Sequence, residues 1–157
     1  MFSGRGRRIL PNGTVYNGEW KDNNRHGYGS SIQPDGEQYE GFLYMDNRHA
    51  FGKYTFSDGA NYEGEWHHGK QQGHGVLTFS NGFKYDGHFK NNMKHGIGYQ
   101  QDQDGNYQKA EYFEGQFVRD VEEDEKEEKK EDENGNGQFA LAEIEAGKGP
   151  FVIDRES

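Results

Sequence analysis

The stretch Tyr16-Asn17-Gly18-Glu19-Trp20, followed by Arg25-His26-Gly27-Tyr28-Gly29 and then Asp35-Gly36, decides the fold of this chain. Its pattern returns three more times with a period of 23 residues, which is typical of a repeat protein. Each copy carries a tyrosine, a glycine, a large apolar residue, a second glycine and a turn glycine. The five columns are Tyr16, Tyr39, Tyr62, Tyr85; Gly18, Gly41, Gly64, Gly87; Trp20, Leu43, Trp66, Phe89; Gly29, Gly52, Gly75, Gly98; and Gly36, Gly59, Gly82, Gly105.

Half-units flank the four full copies. Gly4-Arg5-Gly6 and Gly13 stand where the second half of an earlier unit would be. Phe113-Glu114-Gly115-Gln116-Phe117 resembles the opening half of a later unit, but Phe113 comes 28 residues after Tyr85. This spacing predicts an insertion of about five residues around 106–112.

The repeat predicts antiparallel hairpins. Side chains alternate along a strand, so each tyrosine, glycine and large apolar residue share one face. A glycine inside a strand indicates close approach by another group, and we expect a ring from a neighbouring unit over each one. Two-residue type I′ turns are predicted between units, with longer connections inside them, such as Lys21–His26. The turn dipeptides are Asn12-Gly13, Asp35-Gly36, Asp58-Gly59, Asn81-Gly82 and Asp104-Gly105.

The predicted fold class is therefore all-β: an elongated, single-layer antiparallel meander of about ten short strands. Hydrophobic residues make up only 29% of the chain, so the aromatic residues, at 15%, must supply most of the buried area. Residues 1–118 carry 12 basic and 14 acidic side chains, whereas residues 119–157 carry 6 and 14. We therefore expect a nearly neutral repeat domain, 1–118, and an acidic, mostly irregular tail, 119–157.

Composition also limits the function. The chain has no cysteine, hence no disulfide framework and no thiolate zinc site. No apolar run approaches the length of a membrane span or a signal peptide, which fits a cytoplasmic location. The repeats lack a basic stripe, which argues against nucleic acid as a partner.

The motif resembles the MORN repeat (membrane occupation and recognition nexus). The resemblance rests on Tyr16–Trp20 with Arg25–Gly29, and on Tyr62–Trp66 with Gly73-His74-Gly75, and it covers roughly residues 4–118. Some positions depart from the pattern, namely Ala50 for glycine, Gln72 for histidine, and Leu43 and Phe89 for tryptophan. The resemblance implies an elongated, twisted sheet that serves assembly. A short array with an acidic tail is most similar to the radial spoke head MORN proteins of cilia.

The leading hypothesis is therefore a non-enzymatic scaffold, without cofactor, in a ciliary or axonemal assembly. Its partners would be axonemal or cytoskeletal subunits, and self-assembly or pairing with another MORN protein is a further option. Exposed rows of rings suit protein contacts. The alternative is that these rings serve only to hold neighbouring hairpins together. The predicted partner-binding face comprises Tyr16, Trp20, Tyr39, Leu43, Tyr62, Trp66, Tyr85, Phe89, Phe113 and Phe117.

Two alternative functions stay open at the level of sequence. The first is a phosphoinositide-binding membrane adaptor, for which only Arg5, Arg7 and Arg8 cluster in an otherwise acidic chain. The second is a calcium-responsive adaptor, since residues 132–143 fit the spacing of an EF-hand loop, although no apolar helix precedes them.

The tail itself has two readings. The run from Asp120 to Glu133 is either a solvated segment or a helix with Glu–Lys pairs that docks on a basic partner. The apolar segments Phe139–Ile144 and Phe151–Ile153 could fold back onto the last hairpin, whose edge is open, or insert into a partner.

The histidines and the carboxylates of the repeats do not indicate catalysis or metal binding. His26, His49 and His95 share one repeat position, which predicts a structural role at the hairpin bend. The carboxylates alternate away from the ring face, so we expect them on a solvated face rather than in a closed pocket. These carboxylates are Glu19, Glu40, Glu63, Asp86 and Glu114.

Overall fold

The computed structural model describes residues 1–122. Within this range all regular structure is β, and eleven strands form one antiparallel sheet whose spatial order follows the sequence. The all-β meander is thereby confirmed, and none of the described residues belongs to a helix that could cross a membrane. The strands are β1 (Gly4–Ile9), β2 (Val15–Lys21), β3 (Asn24–Ile32), β4 (Gln38–Tyr44), β5 (Asn47–Thr55), β6 (Asn61–His67), β7 (Lys70–Thr78), β8 (Lys84–Lys90), β9 (Met93–Gln101), β10 (Tyr107–Phe113) and β11 (Gln116–Asp120).

The two kinds of turn are the reverse of the prediction. The tight turn lies inside each repeat: Asp22 and Asn23 join β2 to β3 with φ of 49° and 68°, as a type I′ turn requires. Between repeats, only the glycine of each Asx-Gly pair has positive φ. The amide of Gly13 donates to the Leu10 carbonyl at 2.8 Å, and Asn12 Oδ1 accepts from the amide of Thr14. The Asx-Gly pairs therefore close a turn that ends in a left-handed glycine.

The predicted insertion near the C-terminal end of the array is wrong, because the period of 23 continues. Ala110 pairs with Gly98 as Gly41 pairs with Gly29. Strand β10 thus carries Gln108, Ala110 and Tyr112 at the positions of the repeat tyrosine, glycine and tryptophan. The segment 113–117 is the end of this strand, a tight turn and the start of β11, rather than the opening of a unit.

Each repeat tyrosine covers glycines of its own repeat, not those of a neighbour as predicted. The ring of Tyr16 lies over Gly29, where a Cβ atom would be 2.4 Å from Tyr16 Cζ. Its hydroxyl donates to the carbonyl of Glu19 at 3.1 Å. Tyr39, Tyr62 and Tyr85 repeat the arrangement, with hydroxyl bonds of 2.6, 2.7 and 3.0 Å to the carbonyls three residues on. The tyrosine rings therefore pack directly on the backbone of these glycines, where a side chain would leave no room for them.

Contacts between repeats are made by rings in edge-to-face pairs. Tyr62 packs against Trp66 at 5.1 Å and against Phe89 of the next repeat at 5.0 Å. The Trp66 indole donates to the Gly52 carbonyl of the preceding repeat at 2.9 Å. Each such ring pair contributes about 0.5–1.5 kcal/mol beyond the area it buries. We call this row of rings the ring ladder; it comprises Tyr16, Trp20, Tyr39, Tyr62, Trp66, Tyr85, Phe89 and Tyr112.

A second set of bonds joins the repeats along the edge that carries the tight turns. The amide of Asp46 donates to the Arg25 carbonyl at 2.9 Å, and Asp46 Oδ1 accepts from the Arg25 amide at 2.7 Å. The amide of Met45 donates to His26 Nδ1 at 3.4 Å, which fits the predicted structural role of this histidine. His95 and Gln72 accept the equivalent bonds from Glu114 and Asn91 at 3.3 Å each. The exception is His49, whose Nδ1 is buried without a partner.

Candidate protein-binding faces

The predicted partner-binding face is mostly core. Eight of its ten members are at most 6% exposed, so the prediction that they form exposed rows is wrong. They are hidden because each tyrosine lies flat on its own glycines and each large ring packs edge-on against it. Only Phe113 and Phe117 are accessible, each 58% exposed, at the C-terminal end of the sheet. Partner binding through these ten residues stays a prediction.

Long side chains that recur every 23 residues cover the ring ladder, and the sequence analysis missed them. The guanidinium of Arg48 lies 4.8 Å from the centre of the Trp66 ring and 4.9 Å from that of Tyr54. The ammonium of Lys94 lies 4.9 Å from Tyr85 and 5.0 Å from Tyr112. The series is Arg25, Arg48, Gln71 and Lys94, five residues after each large apolar residue, so the repeat period could have revealed it. We call the surface that carries the ladder and this series the ladder face.

The cations of the ladder face differ in their partners. Arg25 pairs with Asp46, at 3.2 Å between Nε and Oδ1. Within residues 1–122, Arg48 and Lys94 have no carboxylate partner. Burial lowers the pKa of Lys94 and raises the pKa values of Tyr39, Tyr62 and Tyr85 well above the ordinary value. The tyrosines are therefore neutral hydrogen-bond donors at physiological pH.

A cavity of about 230 Å³ opens on the ladder face beside Leu43. Here leucine replaces the tryptophan or phenylalanine of the other full repeats, and the ring ladder is interrupted between Tyr16 and Tyr39. Hydrogen-bonding side chains share the lining with apolar ones, and Arg48 lies at its wall. The lining includes Leu10, Ser31, Gln33, Tyr39, Leu43 and Arg48.

On the opposite face, the outer face, an aromatic pair is exposed. Tyr28 and Phe42 lie directly across from each other on β3 and β4, with ring centres 5.4 Å apart. They are 42% and 46% exposed. The same face exposes Ile9 and Ile32, both of which pair with Val15. The outer face therefore has accessible rings, whereas the ladder face has mostly buried ones.

The carboxylates of the repeats only partly follow the prediction of a solvated outer face. Glu19 and Glu65 fill bulges in the sheet, and each accepts a backbone amide bond, from Tyr28 at 2.6 Å and from His74 at 2.5 Å. Asp86 lies 3.5 Å from His74 Nε2 and is largely buried, so it is not solvated as predicted. Glu114 is also misplaced by the prediction, because it lies in a tight turn with φ of 47°.

The basic and metal-ligating candidates do not converge. Arg8 lies over Phe2 and Trp20 on the ladder face, whereas Arg5 and Arg7 lie on the outer face, opposite residues 19 and 17. The three arginines therefore do not form one patch for an anionic head group. No group of three or more His, Asp or Glu side chains within residues 1–122 could hold a metal ion. The calcium-loop match at 132–143 and both apolar tail segments lie outside the described residues.

Together these features define a class of protein, the open repeat array. Each hairpin unit packs on its neighbours, and such arrays bind other molecules through their extended surfaces. The family model of the MORN repeat matches residues 16–38, 39–60, 62–84 and 85–107. The chain therefore belongs to the MORN repeat family. None of the curated proteins compared with the chain matches it. MORN repeats are scaffold modules rather than enzymes, and they mediate protein or membrane interactions.

Proposed function

We propose that this protein is a scaffold subunit that binds another protein through the exposed rings of its outer face. The observation that carries this proposal is the Tyr28–Phe42 pair, two rings that lie directly across from each other on paired strands and are nearly half exposed. Aromatic residues contribute a large share of the binding energy of protein interfaces. Phe113 and Phe117 offer a second contact area at the C-terminal end.

The assembly that we propose is ciliary, with the radial spoke head as the specific candidate, and the protein would reside in the cytoplasm and axoneme. Support comes from the architecture of this chain: an array of four MORN repeats is followed by a strongly acidic segment. A tagged copy expressed in ciliated cells should enrich in the axoneme and recover axonemal subunits. Recovery of soluble metabolic enzymes alone, with no cytoskeletal partner, would contradict the ciliary proposal.

The outer-face contact is tested separately by paired substitutions. Replacing Tyr28 and Phe42 by serine should abolish recovery of the partner subunits, because the contact loses both rings. Tyr107→Ser is the matched control, since Tyr107 is also on the outer face and 52% exposed, but lies near the far end of the sheet. Equal recovery by both variants, with unchanged unfolding midpoints, would place the contact elsewhere.

A membrane role is the less supported alternative. The separation of Arg8 from Arg5 and Arg7 leaves no basic patch for anionic lipids in the N-terminal cluster. Flotation with vesicles that contain phosphoinositides should therefore show little binding, and strong salt-sensitive binding would favour the membrane adaptor instead.

A further inference from the structure

The cavity beside Leu43 lies where two rings of the repeat are missing. One repeat later, Trp66 fills the equivalent space, with its ring centre 6.2 Å from that of Tyr54 and 4.8 Å from the guanidinium carbon of Arg48. The residues that hold these three positions one period of 23 earlier all line the cavity; they are Leu43, Ser31 and Arg25. The cavity is therefore the space of an indole and a phenol ring that this repeat does not supply.

The cavity has the size and the walls of a site for an aromatic ring. Its volume is about 230 Å³, whereas an apolar protein cavity of about 150 Å³ holds a benzene molecule. Tyr39, Leu10 and Leu43 form its apolar walls. Arg48 also lies at the wall, and a guanidinium is attracted to the face of a ring. A planar ring in the cavity therefore gains apolar contacts and a cation together.

The charges around the cavity favour a neutral ring over an anion. The carboxylate of Asp46 lines the cavity beside Arg25, at 3.2 Å between Oδ1 and Nε, so an anionic ligand would meet like charge. Asp46 Oδ2 accepts no hydrogen bond from the part of the chain that the structure describes. An indole N–H can donate to such an oxygen, as the Trp66 indole donates to the Gly52 carbonyl. A ring that carries one N–H donor therefore suits both the walls and the charges.

We propose that this cavity binds a tryptophan side chain of a partner protein. Two of the other three full repeats hold a tryptophan at the position of Leu43, namely Trp20 and Trp66, and each indole donates to a glycine carbonyl. The ligand is part of a peptide rather than a free aromatic compound, because the side-chain amides of Asn12 and Asn47 line the same cavity and suit the main-chain groups on either side of a tryptophan. This inference does not depend on the outer-face contact, which uses the opposite side of the sheet.

The test is a titration of the full ¹⁵N-labelled chain with N-acetyl-L-tryptophanamide, followed by NMR. The amide signals of Ser31, Leu43 and Arg48 should shift and saturate, and that of Tyr107 on β10 should not. Nuclear Overhauser contacts should join the indole protons to the methyl groups of Leu10 and Leu43. N-acetyl-L-leucinamide is the matched probe without a ring and should cause no saturable shift. Absence of shifts and Overhauser contacts at the cavity, or equal shifts with the leucine probe, would overturn the proposal.

Two variants that fill the cavity from within identify the site. Leu43→Trp supplies the missing indole and Ser31→Tyr the missing phenol, so each should abolish the saturable shift at Arg48. Phe89→Trp is the matched control, because it exchanges one ring for another away from the cavity lining and should bind the probe as the wild type does. Unfolding midpoints on the same samples separate a filled cavity from a lost fold. A saturable shift at Arg48 that persists in a folded, filled variant would overturn the proposal, and the Overhauser contacts in the wild-type chain decide independently of both variants.

Free indole distinguishes a side chain of a partner from a small aromatic ligand. Indole has the same ring and the same N–H but no main-chain groups. It should therefore bind about tenfold more weakly than N-acetyl-L-tryptophanamide, since two main-chain hydrogen bonds contribute about that factor. Equal or tighter binding of indole at the same amides would overturn the assignment to a partner protein and indicate a free aromatic compound as the ligand.

Discussion

At the scale of single residues, backbone geometry decides which repeat positions require glycine. Ala50 has φ of 58°, whereas the equivalent positions hold Gly27, Gly73 and Gly96 with φ of 89°, 79° and 82°. A left-handed alanine costs about 1–2 kcal/mol, and the greater entropy of glycine in the unfolded chain offsets part of this. Ala50→Gly should therefore raise the free energy of unfolding by about 0.5–1 kcal/mol in urea titrations.

The control for this substitution is Ala110→Gly. Ala110 is buried in β10 and is not among the residues with positive φ, so glycine there removes a methyl group and adds chain entropy. We expect a loss of about 0.5–1 kcal/mol or more. A loss of stability in both variants would show that Ala50 is not strained.

Steric contact, rather than φ, fixes the glycines under the tyrosines. A Cβ at Gly75 would lie 2.3 Å from a ring carbon of Tyr62, whose hydroxyl is fixed on the Glu65 carbonyl. Gly75→Ala should cost about 3 kcal/mol, the upper range for overpacking. Gly82→Ala has no such clash but a φ of 95°, so we expect a smaller loss, about 1–2 kcal/mol. The reverse order of unfolding midpoints would contradict the packing argument.

At the scale of elements, the junction around His49 is the weak one. At the other junctions a histidine, glutamine or serine accepts the amide bond from the next tight turn, but His49 Nδ1 has no partner. Burial, and then the nearby His67 and His68, lower the pKa of His49. Its ring centre lies 5.4 Å from that of His67 and 6.0 Å from that of His68.

This arrangement predicts a loss of stability in acid. The unfolded chain binds the His49 proton more readily than the folded chain. The folded state therefore has its full stability above about pH 6.5, and the free energy of unfolding decreases as the pH falls below that value. Hydrogen exchange of amides in β5 and β6 should therefore speed up at pH 5.5 relative to pH 7.5, after correction for intrinsic rates. His49→Gln, which places the residue of position 72 here, should flatten this dependence; an unchanged pH profile would exclude His49 as its cause.

The elements also show what sequence can and cannot predict. The faces of the strands were predictable, because alternation fixes which side chains share a side, and Tyr62, Gly64 and Trp66 do so. The turns were not, since Asx-Gly suits both a type I′ turn and a type I turn with a left-handed glycine. Neither was the placement of the tyrosine rings, because a side chain can lean along its own strand or across to a neighbour. The sequence pattern gave the wrong register at β10, because Gln108 and Ala110 replace the tyrosine and glycine of the repeat there. The strand pairing nevertheless keeps the 23-residue period.

At the scale of the whole molecule, stability comes from nearest-neighbour contacts, so the array is as cooperative as its weakest interface. Leu43 marks such an interface, because Tyr16 lacks the second ring that Tyr39, Tyr62 and Tyr85 each receive from the following unit. The same gap opens the cavity beside Arg48. A larger ring at position 43 would therefore increase the stability of the sheet and would also fill the cavity.

Leu43→Trp tests this expectation. The indole should pack on Tyr16 and donate to the Gly29 carbonyl, as Trp66 donates to the carbonyl of Gly52 one repeat later. We expect the free energy of unfolding to rise by about 0.5–1.5 kcal/mol and the cavity to close. Phe89→Trp is the matched control, because a ring is already present there and should change stability little. If Leu43→Trp lowers the unfolding midpoint while Phe89→Trp does not, the position is too confined for a ring, and the leucine is a requirement of packing rather than a gap in the ladder.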